Sequence, residues 1–242
     1  GGVCVFKVDK KRAGELFKKW LKKKWFCPSE AKRKAKPDSF KGVYLPYWTF
    51  DTNTFSTYTA QYGRTRTVRD SKGNTRTVTD WYNTSGQYSE FIDDQLVIAT
   101  TRHPHNILSR IEPFATEDNL VYKPEYVAGF ISERYAVGLK DGWNKAKDLI
   151  RKRLERNVTS KIRVENAASS VRALRMHTHY NDIKYKYLLL PVWISAFKYN
   201  NKIYEFMVNG QTGRVGGKAP VSPWRVLIAI LIGLGVAALI YF

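Results

Sequence analysis

Two histidine pairs and one group of carboxylates are the parts of the sequence that could do chemistry. Segments 103–105 and 177–179 both read His-x-His. In a β-strand this spacing turns two imidazoles to one side, where a metal ion could contact both. The pattern supplies no third or fourth ligand, and one pair has a proline between its histidines. The sequence therefore assigns no metal-binding residue.

The carboxylates and cysteines of the sequence do not form a recognisable set of catalytic residues. Glu90, Asp93 and Asp94 lie close together near a predicted strand, and paired carboxylates can act as general acid and base. The simpler interpretation is that these carboxylates lie in a turn or form salt bridges with nearby arginines. Cys4 and Cys27 are too few for a disulfide framework or a four-cysteine zinc site. The sequence has no Gly-rich phosphate loop, nucleophile elbow or HExxH motif, so we expect no enzyme.

Net charge is the strongest compositional signal. The 242 residues hold 41 Lys and Arg against 21 Asp and Glu, which gives +20. Residues 1–41 contain 14 basic and 4 acidic residues, and residues 140–163 contain 9 and 3. A strongly basic balance predicts an anionic partner, such as a membrane surface, an acidic protein or nucleic acid.

Both charged segments predict an amphipathic helix with a basic polar face. The first has apolar residues at helical spacing from Ala13 to Trp25, with Asp9 as N-cap, and the second has them from Trp143 to Val158. A solvated helix face, anionic headgroups and nucleic-acid phosphates remain alternatives for the basic side. The candidate residues for binding an anionic surface are Lys18, Lys19, Lys22, Lys23, Lys145, Arg151, Lys152 and Arg156.

An internal repeat predicts the architecture. Leu-Pro-x-Trp occurs at 45–48 and at 190–193, each time in a strand-like run after one of the helices. We expect an α+β fold of two duplicated helix-plus-antiparallel-sheet modules, followed by one C-terminal transmembrane helix. The predicted boundaries are 1–100 for the first module, 101–124 for a linker, 125–220 for the second module and 221–242 for the anchor.

The last residues predict that membrane anchor. Residues 226–242 carry neither charge nor proline, and a helix of that length approaches the thickness of a bilayer core. Basic residues precede the segment, so the positive-inside rule predicts a single-pass protein whose remaining chain is cytoplasmic. Small residues on one face suggest an oligomer formed through this helix. The anchor residues are Trp224, Val226, Ala229, Gly233, Ala237 and Tyr241.

Several separated motifs resemble one known family. They are the segment 17–28, the segment 40–51 with the first Leu-Pro-x-Trp copy, the second copy at 188–193, and Asn-Gly-Gln-Thr-Gly at 209–213. Together they resemble the bacterial TFIIB-type zinc-ribbon-containing membrane proteins. The resemblance implies an accessory membrane component that acts with SPFH-domain or PspA-like proteins. It also implies a four-cysteine zinc ribbon ahead of this region, which Cys4 and Cys27 cannot replace, so no cofactor is assigned to this chain.

The sequence-based function is that of a non-catalytic scaffold. We expect a membrane-anchored adaptor that recruits partner proteins at a membrane surface with anionic lipids, in membrane-stress or membrane-organisation complexes. The alternative is a membrane-tethered protein that binds nucleic acid, and salt-dependent binding to DNA or RNA would favour it.

Overall fold

The chain folds as two compact units made of interleaved segments. The computed structural model describes residues 1–35 and 39–241, with side chains up to residue 238. The first unit comprises Gly1–Tyr47, Ile98–Val137 and Tyr187–Phe242, and the second comprises Trp48–Val97 and Gly138–Lys186.

Eight strands and six α-helices account for most of the described secondary structure. In chain order they are β1 (Gly2–Val3), α1 (Lys10–Lys22), α2 (Ser29–Lys34), β2 (Lys41–Arg69), β3 (Thr75–Ile98), α3 (His105–Ile111), β4 (Leu120–Val121), α4 (Pro124–Val127), β5 (Ile131–Ser132), α5 (Leu139–Asn166), β6 (Ser170–Tyr199), β7 (Lys202–Asn209), β8 (Val215–Gly217) and α6 (Pro223–Tyr241).

The strands form one mixed sheet, so the predicted fold of two duplicated modules is wrong. The strand order is β3-β2-β6-β1-β4, with β5 beside β2, β7 beside β6 and β8 beside β7. β1 pairs in parallel with β6, and β5 pairs in parallel with β2, whereas β6–β7 and β7–β8 are antiparallel. The two Leu-Pro-x-Trp copies lie on the neighbouring strands β2 and β6 of this sheet.

Helix packing shows why the repeat misleads. α1 packs with Trp193 of the second copy, whose indole Nε1 donates a 2.8 Å hydrogen bond to the carbonyl of Val8. α5 approaches Trp48 of the first copy at Gly142, where an added Cβ would lie 2.9 Å from the indole. Each helix therefore packs on the tryptophan of the Leu-Pro-x-Trp copy that does not follow it in the chain. Local periodicity cannot specify which sheet residues a helix will contact.

An aromatic core holds α1 in the first unit. Phe17 is buried, with its ring centroid 4.6 Å from that of Phe206 and 5.5 Å from that of Phe40. The Asp9 side chain accepts a 2.7 Å hydrogen bond from the Arg12 backbone N–H, which confirms the predicted N-cap. α1 ends at Lys22, so Trp25 lies beyond the helix, although the predicted apolar stripe included it.

In the second unit, α5 covers one face of the sheet. Val158 and Ile162 of α5 are buried against Tyr58 and Ala60 of β2. Strands β2 and β3 are joined by a turn at 70–74, where the Asp70 carboxylate accepts hydrogen bonds from the backbone N–H groups of Lys72 and Asn74. Gly73 has a φ of +84°, a conformation that favours glycine.

The predicted transmembrane anchor is wrong. Among the residues that the structure describes, no helix is both long enough and apolar enough to cross a membrane. The predicted single-pass anchor, cytoplasmic placement and membrane-helix oligomer therefore lose their basis. Trp224, Val226, Ala229, Gly233 and Ala237 lie on α6, and the side chain of Tyr241 lies outside the described residues.

Candidate functional site

The first unit contains a groove whose lining is cationic and aromatic. Its volume is about 760 Å³, within the usual size of ligand pockets. Its lining includes five cationic side chains and three aromatic rings, and no carboxylate belongs to the described lining. These residues are Lys23, Lys24, Arg110, Lys202, Lys218, Trp25, Phe26 and Tyr204.

Two of these aromatic side chains lie on the surface. Trp25 is 51% exposed and Phe26 is 42% exposed, and their ring centroids lie 5.0 Å apart in an edge-to-face arrangement. Neighbouring exposed apolar side chains with a polar rim are typical of surfaces that contact a protein or another ligand, so this pair makes the groove the candidate binding site.

The loop that carries this pair is held in place by its backbone. Arg225, at the start of α6, donates hydrogen bonds from its guanidinium to the carbonyls of Trp25 and Cys27 and to the Ser29 hydroxyl. The carbonyl of Phe26 accepts a 2.8 Å hydrogen bond from the Ser222 backbone N–H. The exposed rings are therefore presented in a defined geometry before any ligand arrives.

The cations around the groove come from several elements. Lys23 and Lys24 follow α1, and Lys24 Nζ lies 4.7 Å above the ring of Trp20. Arg110 on α3 donates a 3.0 Å hydrogen bond to the carbonyl of Gly217. Because their positive charges face a common volume, the groove attracts an anionic ligand.

Cys27 lies in the groove lining but does not supply a reactive thiolate. Its side chain is buried, and burial raises the pKa of the thiol above its ordinary value, although Lys32 and Arg225 oppose the effect. A thiol with a raised pKa is a poor nucleophile at neutral pH. Burial and the raised pKa therefore disfavour a role for this thiol as a nucleophile.

The predicted basic residues of α1 lie beside this groove or outside it. Lys18, Lys19, Lys22 and Lys23 are all exposed, but only Lys23 belongs to the groove lining. The residues predicted from the sequence therefore include one cation of the groove, Lys23. They do not include the other four, which are Lys24, Arg110, Lys202 and Lys218. They are missed because α1, α3, β7 and the segment after β8 meet only in the folded chain.

The predicted basic residues of α5 belong to the second unit. Lys145, Arg151, Lys152 and Arg156 are exposed, and Arg151 lies 3.4 Å from the Asp148 carboxylate. Lys152 and Arg156 border a shallow depression of about 700 Å³ that also contains Glu155. This surface is basic but carries a carboxylate, unlike the described lining of the groove.

The carboxylates singled out in the sequence separate in the structure. The Glu90 carboxylate accepts hydrogen bonds from Arg153 and Asn157 of α5. Asp93 and Asp94 group instead with Asp51, with one oxygen of each residue within 4.8 Å of the others. Lys186 Nζ lies 3.4 Å from Asp94 and 4.0 Å from Asp51, so a lysine already offsets the negative charge of this group.

Comparisons with known proteins assign no ligand to the chain. No family model matches it, and no solved structure matches it. It is similar to the Bacillus subtilis (strain 168) protein described as "Uncharacterized protein YdjG", with 29% identity over 231 residues. That alignment covers 93% of this chain but only 64% of the YdjG protein. The resemblance to zinc-ribbon membrane proteins, and the partners that it implies, stay predictions.

Proposed function

We propose that the protein is a non-catalytic adaptor that recruits a partner protein by binding an acidic segment of it in the basic groove. One observation carries the proposal: five cations and an exposed aromatic pair share a groove whose described lining includes no carboxylate. The adaptor role is retained from the sequence, and the membrane anchor is not.

The aromatic pair favours a protein ligand. Tryptophan and arginine are enriched among the residues that contribute most to protein–protein affinity, and such residues are typically surrounded by a polar rim. Trp25 and Phe26 with a border of lysines and Arg110 have this arrangement. Because Arg225 fixes the loop, little conformational entropy is lost when a partner covers the rings.

The charge of the groove favours an acidic segment. Glutamate or aspartate side chains of a bound peptide would neutralise Lys202 and Lys218 at the border, while an apolar side chain would cover the exposed rings. Single-stranded nucleic acid also combines negative charge with stacking groups, so the experiment must compare the two ligands.

The test is a binding titration with the full chain. The probe is a short fluorescein-labelled peptide made of glutamates around two phenylalanines, followed by fluorescence anisotropy at several salt concentrations. We expect Lys202→Glu with Lys218→Glu to weaken binding at least tenfold, about 1.4 kcal/mol. Trp25→Ala should weaken it by a similar factor at every salt concentration, because the loss of an apolar contact is not screened.

A matched control and a competing ligand make the test decisive. Lys145→Glu with Lys152→Glu makes the same charge change on α5 of the second unit and should leave peptide affinity within threefold of the original. Absence of peptide binding at low salt would overturn the proposal. Tighter binding of a single-stranded oligonucleotide, lost in the same groove variants, would also overturn it in favour of the nucleic-acid alternative.

A further inference from the structure

The second unit presents two histidines side by side on the face of the sheet opposite α5. His177 and His179 are two residues apart on β6, and both are exposed. Thr178, between them, points to the other face, where its hydroxyl lies 2.8 Å from that of buried Ser56. This alternation places both imidazoles on the same open side of the strand.

The distance between the two rings matches that of a chelating pair. Their centroids lie 4.8 Å apart, and the ring planes make an angle of 84°. A metal held about 2.0–2.1 Å from one nitrogen of each ring would separate the centroids by about 4.5 Å at a right angle and about 5.2 Å at the tetrahedral angle. The observed separation falls between these values, so it is compatible with both rings contacting one ion.

The other His-x-His segment of the chain is arranged differently. His103 Nε2 lies 2.8 Å from Glu133 Oε1, and the His103 side chain is only 15% exposed. His105 is the first residue of α3, beyond Pro104, so this pair does not lie on a strand. The same spacing in the sequence therefore gives one pair that is open to solvent and one in which a histidine already has a carboxylate partner.

We propose that His177 and His179 form a site for one divalent late transition metal ion, with water completing its coordination. Two imidazoles suit Cu²⁺, Ni²⁺ and Zn²⁺, and the general order of affinities makes Cu²⁺ the tightest of the three. Hard cations such as Mg²⁺ prefer oxygen ligands and are not expected to bind here.

The test uses the full chain without a histidine tag, titrated with CuCl₂, NiCl₂, ZnCl₂ and MgCl₂ by isothermal calorimetry. We expect one Cu²⁺ per chain at this pair and weaker binding of Ni²⁺ and Zn²⁺. His177→Ala and His179→Ala should each weaken Cu²⁺ binding at least tenfold. Both side chains are exposed, so circular dichroism should show an unchanged fold. Electron paramagnetic resonance of the Cu²⁺ complex should show two nitrogen ligands that are lost in the double variant.

Two controls distinguish this pair from the other groups that could hold a metal. His103→Ala with His105→Ala removes the same number of imidazoles and should leave Cu²⁺ affinity unchanged. Asp93→Asn alters the carboxylate group and should also have no effect. Retention of tight Cu²⁺ binding in the His177→Ala, His179→Ala double variant would overturn the proposal, as would loss of binding in either control.

Discussion

The two basic helices of this chain look alike in sequence and differ in the folded protein. On α1 and at its C-cap, the lysines at 18, 19, 22 and 23 form no side-chain ion pair with any residue that the structure describes. On α5, several basic side chains bind carboxylates, as Arg153 does with Glu90 and Lys161 does with Glu165. A one-sided basic helix can therefore leave its lysines in solvent or pair part of its charge with carboxylates of its own unit.

Two partly buried glutamates show the same contrast. In the second unit, Glu90 accepts hydrogen bonds from Arg153, Asn157 and Tyr88. In the first unit, burial raises the pKa of Glu112 to about 7. These two carboxylates should therefore contribute to stability with opposite pH dependence, and the variants below test this difference.

Removal of the Glu90 carboxylate should have the largest effect. Its side chain is only 15% exposed, and its oxygens lie 2.6–3.0 Å from Arg153, Asn157 and Tyr88. Glu90→Ala leaves these donors without their acceptor, so the free energy of unfolding at pH 7 should fall by about 2–4 kcal/mol. Urea denaturation followed by circular dichroism measures the change.

Two controls test the role of Glu90: the loss of stability at low pH, and removal of an exposed carboxylate on α5. Burial alone would raise the pKa of Glu90, but hydrogen bonds from Asn157, Tyr88 and Arg153 outweigh it, so the pKa lies below its usual 4.5. The stabilisation is therefore present above pH 4.5 and is lost as pH falls through the lower folded-state pKa. Glu165→Ala removes an exposed partner of Lys161 on the same helix and should cost less than about 0.5 kcal/mol. An equal loss in both variants would contradict the contrast between them.

Glu112 should give the next largest effect, with the opposite sign. Its pKa is about 7 in the folded chain and near 4.5 when unfolded, so folding favours the protonated form. The free energy of unfolding should fall as pH rises from about 4.5 to about 7, by about 3 kcal/mol, and stay level above. Glu112→Gln keeps the shape without the charge, so it should remove this slope and make the protein more stable than the original at pH 8.

Changing two lysines of α1 should have the smallest effect. Lys18 and Lys19 are exposed and lie outside the groove lining. Lys18→Gln with Lys19→Gln should change the free energy of unfolding by less than about 0.5 kcal/mol, because solvated surface charges contribute little. Peptide affinity in the anisotropy assay should change less than threefold at physiological salt, where the Debye length is about 8 Å. A loss as large as that from Lys202→Glu with Lys218→Glu would move the binding surface from the groove to the helix face.

The sequence was informative about local elements because their determinants are local. The predicted Asp9 N-cap is confirmed, and the turns at 70–74 and Asn200-Asn201 consist of residue types that favour turns, since capping and turn residues act over a few positions. The arrangement of these elements was not predictable in the same way. The repeat of Leu-Pro-x-Trp suggested two modules, whereas strands of 29 and 30 residues carry both copies into one sheet.

The groove could not be predicted from the sequence, because its residues are far apart in the chain. Its cations come from positions as distant as Lys23 and Lys218, and no pattern in the chain links them. One signal was present: Trp25 and Phe26 precede Pro28, which follows the end of α1, so both aromatics could have been placed in a loop instead of on the helix stripe.

Arg225 joins residues that lie 200 positions apart in the chain. Its guanidinium connects the first turn of α6 to the carbonyls behind Trp25 and Cys27, so a displacement of this turn acts directly on the exposed rings. By thermodynamic linkage the influence is reciprocal: a ligand that immobilises the rings also restrains the start of α6. If a ligand binds in the groove as proposed, removal of the Arg225 guanidinium is therefore expected to change both its affinity and the order of the first turn of α6.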